Sequence, residues 1–187
     1  MIHLNFNPFP VLTTERLVLR EMSMDDTEPY FIIRADEEMN KYIPNARPKN
    51  LEETQAIIER MRSYARDNKS VAWTIADKDT NQMIGSACLW SMQGTEDSWE
   101  VGYAILTQHQ NKGLMSEALQ AVVKYGFEVI NLPMIHAFTH KDNASSRHML
   151  EKNGFSRNIA SEQEHAEMEE MKEEMQQLVI YTLLNQD

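Results

Sequence analysis

The stretch Gln108-His109-Gln110-Asn111-Lys112-Gly113-Leu114-Met115-Ser116-Glu117-Ala118-Leu119 (QHQNKGLMSEAL) lies between the strand-like run Trp99 to Leu106 and a helix-like run that continues to about Ile130. It is polar, holds a single glycine, and ends in a good helix start. A helix N-terminus presents unpaired N–H groups and the positive end of the helix dipole, so an anion is stabilised there without any basic side chain. Gly113 lets backbone approach such a ligand closely. The anion this geometry favours is a phosphate.

Working outward, three apolar runs, Val71 to Ala76, Met83 to Trp90 and Trp99 to Leu106, are separated by DKDTNQ and SMQGTED. Those separators have the composition of turns between antiparallel strands. Further upstream, Leu12 to Met22 reads as a strand, Ser23 caps a helix near Asp25, and Asn50 caps another. In this second helix Leu51, Ile57, Ile58, Met61 and Tyr64 recur at helical spacing up to about Asn68. Downstream come a strand Met134 to Thr139, a short helix Ser145 to Asn153 stopped by Gly154, and a strand Val179 to Leu184. The order is α+β. The passage from Trp99–Leu106 through the helix to Met134–Thr139 is a crossover, which makes those two strands parallel in an otherwise mostly antiparallel sheet.

Length and composition set the class. A chain of 187 residues builds one domain with a full core, without disulfides or structural metal. The single Cys88 sits in an apolar run and fits a buried thiol in a reducing compartment. MIHLNFNPFP has no signal-peptide pattern and no later segment is long and apolar enough to span a bilayer, so a cytoplasmic protein is expected. The net charge of -11 is uneven, since residues 161 to 177 carry seven Glu and one Lys. No basic stripe appears, which argues against nucleic acid as a partner. In the same acidic segment Met168, Met171, Met175 and Leu178 recur at spacings of three and four, the pattern of an amphipathic helix laid on the body, a dimer contact or a substrate lid.

Two phosphate-binding motifs fail. A P-loop needs Lys after its second glycine, whereas Lys112 precedes Gly113, and G-x-G-x-x-G needs glycines that are absent between Gly102 and Gly126. The histidines His109, His136, His140 and His148 show no metal spacing, and no metal is expected.

EVGYAILTQHQNKGLMSEAL followed by HKDNASSRHMLEKNGF resembles the acetyl-coenzyme A (acetyl-CoA) binding half of the GNAT N-acetyltransferases, whose signature is Q/R-x-x-G-x-G/A at a strand-helix turn. Gln110, Gly113 and Met115 occupy those places, Met115 departing from the usual small residue. TERLVLR and the run from Asn143 and Ser146 through Leu150 to Phe155 resemble the RimJ/RimL-like branch, the ribosomal-protein N-terminal acetyltransferases and relatives. The resemblance spans roughly Thr13 to Phe155 and the last strand, and leaves out residues 161–177 as an acidic helical insertion. It implies a mixed, mostly antiparallel GNAT sheet with helices on both faces. It also implies a pyrophosphate held on the amides of Asn111, Lys112, Gly113, Leu114, Met115 and Ser116 after Gln110, and a pantetheine arm paired along Ile105 and Leu106 where two strands splay. Asn143 resembles the family's cofactor-contacting Asn, and a plain helix N-cap explains it equally well.

Acetyl transfer to an amine needs a neutral nucleophile and routes for two protons. Glu100, thirteen residues before Gly113, stands where several GNAT enzymes carry a catalytic Glu, on one strand face with Gly102 and Ala104. Strand rise puts Glu100 about 13 Å from Ala104, so proton abstraction would run through water. The family's tyrosine acid is replaced by Leu150, and Ser146 is the hydroxyl that remains. The acceptor is a protein N-terminal α-amine or a small amine such as a polyamine or an aminoglycoside; a non-catalytic acyl-CoA binding module is the rival from another class. The acceptor pocket is expected from the two N-terminal helices and their loop, with Tyr42 and Ile43, and the chain is expected to act as a monomer or homodimer.

Overall fold

A computed structural model describes residues 2–43, 47–91, 98–168 and 177–186. Its centre is an eight-stranded sheet in the order β1-β2-β3-β4-β5-β6-β8-β7. The strands are β1 (Leu12–Thr13), β2 (Leu17–Glu21), β3 (Ser70–Asp77), β4 (Met83–Ser91), β5 (Ser98–Ile105), β6 (Met134–His140), β7 (Ser156–Arg157) and β8 (Leu178–Leu184). Helices α1 (Thr27–Ala35), α2 (Leu51–Arg66), α3 (Leu114–Tyr125), α4 (Ala144–Lys152) and α5 (Ile159–Met168) complete it. Every neighbouring pair is antiparallel except β5 and β6, as the crossover through α3 requires.

The run Leu12 to Met22 is two strands. Thr14 breaks it by exchanging bonds with Leu17, its N–H donating to the Leu17 carbonyl and its hydroxyl oxygen accepting the Leu17 N–H, and β1 folds back on β2. Ser23 caps a single 3₁₀ turn, Met24–Asp26, ahead of α1, and the Asp26 carboxylate receives the Ser23 N–H in return. Asn50 caps α2 by accepting from the Glu53 N–H. Only the middle of the apolar stripe of α2 is covered: Ile58 is fully buried while Leu51 and Tyr64 lie exposed. Helix α3 starts two residues before the expected Ser116 and passes into a π turn over Gly126–Ile130.

The core has two parts, one on each face of the sheet. The larger packs Trp73, Leu89, Trp99, Val101 and Ile105 against Leu119 and Val122 of α3. The smaller packs Tyr30 and Ile33 of α1 and Ile58 of α2 over Met22, Met83 and Leu106. Alternation along β5 therefore sends odd-numbered side chains towards α3 and even-numbered ones towards α1 and α2. Between β2 and α1 a buried ion pair pins the smaller part: Arg20 donates both Nη atoms to Asp26, and Thr74 donates its hydroxyl to the same carboxylate. Burial alone would raise the Asp26 pKa, but the bonds from Arg20, Ser23 and Thr74 outweigh it and hold the carboxyl below its ordinary value.

Of the acidic segment, α5 is helical, and Glu162 is spent on structure, accepting from Arg157 and from the Ile180 N–H. The Met171 and Met175 part of the expected stripe lies outside the described residues. Among the described residues no helix is long and apolar enough to cross a membrane.

Candidate active site

Strand β5 pairs with β6 only over Ser98, Glu100 and the Trp99 between them, opposite Met134, His136 and Ile135. Beyond Glu100 the two strands part, so the β6 side of the rest of β5 is unpaired. Leu106 donates its N–H to the Ile84 carbonyl on the β4 side. Backbone direction alternates along an antiparallel ladder, so Ala104 and Gly102 also bond towards β4, while Val101, Tyr103 and Ile105 turn their backbone groups into the gap. The gap has the shape of a missing strand, the form an amide-bearing arm would fill. Ile105 is placed for that role. Leu106 is not, because its N–H is committed to Ile84 and its carbonyl to the His109 N–H.

At the end of the gap the chain turns through Thr107–His109 into the quoted stretch. Gln110 folds its side-chain amide back onto the Ile105 carbonyl at 3.4 Å, which closes the turn. Asn111 and Gly113 both have positive φ, 60° and 75°. Gly113 is the N-cap of α3, and the first helical bond runs from Glu117 N–H to its carbonyl. The N–H groups of Gly113, Leu114, Met115 and Ser116 precede that bond and so have no intrahelical acceptor, the arrangement that receives a phosphate. Leu114 and Met115 anchor this cradle by packing their side chains on the larger core. Ser116 donates its hydroxyl to Asn153 at 2.8 Å, tying α3 to the end of α4 and leaving its amide free for a ligand.

Arg16 is a member of this site that reading the sequence missed. Its guanidinium donates to the Lys112 carbonyl at 3.0 Å and to the Glu117 carboxylate at 2.7 Å, and Thr14 donates its hydroxyl to Glu117. Glu117 would otherwise repel a phosphate at the helix start; the Arg16 pair cancels that charge and braces the turn. A cleft of about 390 Å³ opens here between Arg16, Gly113, Gln120 and Lys152. The signal was TERLVLR itself, whose arginine is 96 residues from its loop contact and could not be placed without the fold.

On the α1 and α2 face, Glu100 is half-buried with no hydrogen-bond or ion-pair partner among the described residues, and burial pushes its carboxyl up to about 8. Trp90 faces it across the ladder and lays its indole over Gly102, where a Cβ would come within 2.8 Å of the ring. Cys88 is next along the same face; its thiol is pushed up to about 12, by burial first and then by the Glu100 charge, and is no nucleophile. His136 stands opposite Glu100 in the parallel register. Asn158 accepts the Ser161 N–H through Oδ1, so its Nδ2 donates to the Thr182 hydroxyl at 3.1 Å. The Thr182 hydroxyl also lies 2.8 Å from His136 Nδ1, a bond in which either atom can be the donor according to the ring tautomer. Burial lowers the His136 pKa and keeps the ring neutral. The loop after α1 closes this side, with Tyr42 stacked on His140 at 4.8 Å and its hydroxyl donating to the Asp142 carbonyl.

On the opposite face, Asn143 caps α4 by accepting from the Ser146 N–H at 3.2 Å. The Ser146 hydroxyl lies 2.9 Å from the Tyr103 hydroxyl. Tyr103, which the sequence did not single out, is, after Arg16, the second such residue. Burial pushes its phenol up to about 12, so it stays protonated and can pass a proton to Ser146. Glu100 and the Ser146–Tyr103 pair thus flank β5 from its two faces. Among the described residues no three His, Cys, Asp or Glu side chains gather as a metal centre would need.

The comparisons with known proteins agree with this geometry. Residues 16–156 match the acetyltransferase (GNAT) domain. The chain is similar to the uncharacterized N-acetyltransferase YoaA of Bacillus subtilis (strain 168), 30% identical over 149 residues that cover 80% of this chain and 84% of that protein. Its fold is that of a GNAT-family acetyltransferase from Bacillus anthracis, with a TM-score of 0.75 at 23% identity over 94% of this chain and 98% of that one. It is also that of RimL, a ribosomal L7/L12 alpha-N-protein acetyltransferase solved with coenzyme A, with a TM-score of 0.74 at 15% identity over 94% and 98% of the two chains. The splayed strands, the amide cradle after Gln110 and the matching domain place this chain in the GNAT family, as an acetyl-CoA-dependent N-acetyltransferase.

Proposed function

We propose that the chain acetylates the α-amino group at a polypeptide N-terminus, with Glu100 as the proton acceptor. Acetyl-CoA supplies the activated acetyl group. The gap beside Val101, Tyr103 and Ile105 and the amides of Gly113 to Ser116 suit its arm and its pyrophosphate. Gln110, Asn111 and Lys112 shape that turn, and Asn143 holds the start of α4 beside it.

The observation that carries the reading is the carboxyl of Glu100, with a pKa of about 8 and no partner among the described residues. An α-ammonium has a reference pKa of about 8, so its proton passes to Glu100 at little cost. A lysine or polyamine ammonium near 10.4 is uphill by about 3 kcal/mol. The transfer runs through water on the side of the sheet that Glu100 shares with Trp90. On the other face the Ser146 hydroxyl, backed by Tyr103, stands ready to return a proton to a leaving thiolate.

A panel of N-terminal peptides, the same peptides with their lysines blocked, spermidine and an aminoglycoside tests this by release of free coenzyme A. Peptides are expected to turn over whether or not their lysines are blocked. Exclusive acetylation of a small amine would remove the peptide reading. Tight coenzyme A binding with no turnover of any acceptor would favour a binding module instead.

A further inference from the structure

The chain holds 29 acidic residues against 18 Lys and Arg, so an arginine in need of a carboxylate has many within reach. Arg16, Arg20, Arg47, Arg62, Arg66 and Arg157 each hold one. Arg147 donates to the Lys141 carbonyl, and Arg60 is exposed to water. Arg34 differs from all of these. It is half-buried, its Nε is sealed from solvent without a hydrogen-bond partner, and it forms no ion pair among the described residues. A buried unpaired donor is destabilising, and folded proteins retain few of them unless function uses them.

The position of Arg34 says what it is for. It lies one turn after Tyr30 on α1, and its charge acts on the Tyr30 phenol and on the Cys88 thiol. The same thiol feels Glu100. Cys88 pairs with Gly102 across β4 and β5, two residues from Glu100, so the guanidinium and the carboxyl border one patch of the sheet from different sides. They do not satisfy each other, because burial is the sole cause of the Glu100 shift. A cation and a proton acceptor without partners among the described residues, on a face where the Trp90 ring covers Gly102, form a site for a molecule that carries an anion and an amine.

We propose that Arg34 binds a carboxylate on the acceptor, a few bonds from the amine that Glu100 serves. This rests on the acetyl-transfer reading of Glu100. A guanidinium edge matches a planar carboxylate with two parallel bonds, and the edge formed by the two Nη groups, beyond the sealed Nε, is the one that can supply them. A carboxylate brings one negative charge into a protein that is already at -11, where a phosphate brings nearly two. The carboxylate is either an acidic side chain at the start of a peptide or the α-carboxylate of a free amino acid.

Two matched pairs of acceptors separate these sources: Glu-Ala-Ala-amide against Gln-Ala-Ala-amide, and alanine against alaninamide. In the wild type the carboxylate member of one pair is expected to show a kcat/KM at least about tenfold higher. The pair that responds names the source. Arg34→Gln should bring that ratio to about one, with the kcat/KM of the neutral member changed by less than about twofold and the coenzyme A affinity unchanged. Arg34→Met should hold or raise the Tm, since it deletes an unpaired buried donor. Equal rates within both pairs in the wild type, a preference that survives Arg34→Gln, or a Tm lowered in both variants would overturn the proposal. If none of the four acceptors is turned over, the reading of Glu100 fails on its own. Calorimetric binding of the same pairs to the protein with coenzyme A then judges Arg34 by the same ratio.

Discussion

Replacing Glu100 with glutamine keeps the shape of the side chain on β5 and removes its ability to take a proton. Two independent effects follow from the carboxyl at about 8. In catalysis, the wild-type rate should climb with pH up to about 8, where the carboxylate forms, and Glu100→Gln should lose about 10²–10⁴-fold in turnover and keep only the limb set by the acceptor's own ammonium, near about 8 for a peptide. In stability, the folded protein keeps its Glu100 proton between about 4.5 and 8 while the unfolded chain has lost it. The folded state binds more protons across that window, so its stability falls as pH rises through it. A separation of roughly 3.5 pH units sets a ceiling of about 5 kcal/mol. Partial access of the carboxyl to water reduces this to about 2 kcal/mol, which is roughly 4–8 °C in Tm for a chain of this size. The glutamine variant should therefore melt higher than the wild type at pH 9 and at about the same temperature at pH 4.5. Thermal melts at the two pH values, paired with initial rates from pH 6 to 9.5, make the measurement. Turnover in the variant within about tenfold of the wild type, or a Tm difference that does not grow between pH 4.5 and 9, would refute the assignment of Glu100 as a buried proton acceptor.

Two further outcomes are expected. Gly113→Val forces a β-branched residue into φ 75° and sets a side chain in the cradle; only Arg16 Nη2, at 3.6 Å, would meet its Cβ, so the protein should lose about 1–2 kcal/mol and stay folded while calorimetry shows most coenzyme A affinity gone. Tyr103→Phe removes the hydroxyl that backs Ser146, so it should slow turnover about as much as Ser146→Ala, and the double variant should cost little more than either alone; additive losses in the rates would show that the two hydroxyls act separately.

The elements that local chemistry determines were readable before the structure: the meander β3–β5 from its turn compositions, the α2 start from Asn50, and the cradle from Gly113 ahead of a helix. Glu100 was placed on the correct face by alternation alone. What stayed hidden depends on contacts between distant segments. Arg16 reaches Lys112 across 96 residues, and Tyr103 meets Ser146 across 43. Neither contact leaves a periodic trace. The solvation of Glu100 was also unreadable, because the turn from water-exposed strand residue to raised carboxyl is made by burial on the assembled sheet. Leu106 was misjudged for a related reason: which way a backbone amide points depends on the register with β4, and a shift of one residue exchanges it with Ile105.

Strand β5 is also a partition between two inheritable traits. Its even positions, Glu100, Gly102 and Ala104, face the side proposed for the acceptor, and its odd positions, Val101, Tyr103 and Ile105, face the larger core and, through Tyr103, the side proposed for the acetyl donor. Substitutions on one parity leave the other side's surface almost untouched. A lineage built on this strand can change the amine it recognises, through α1 and the even positions, while its handling of the donor is preserved, so new acceptor specificities lie a few single-residue steps apart.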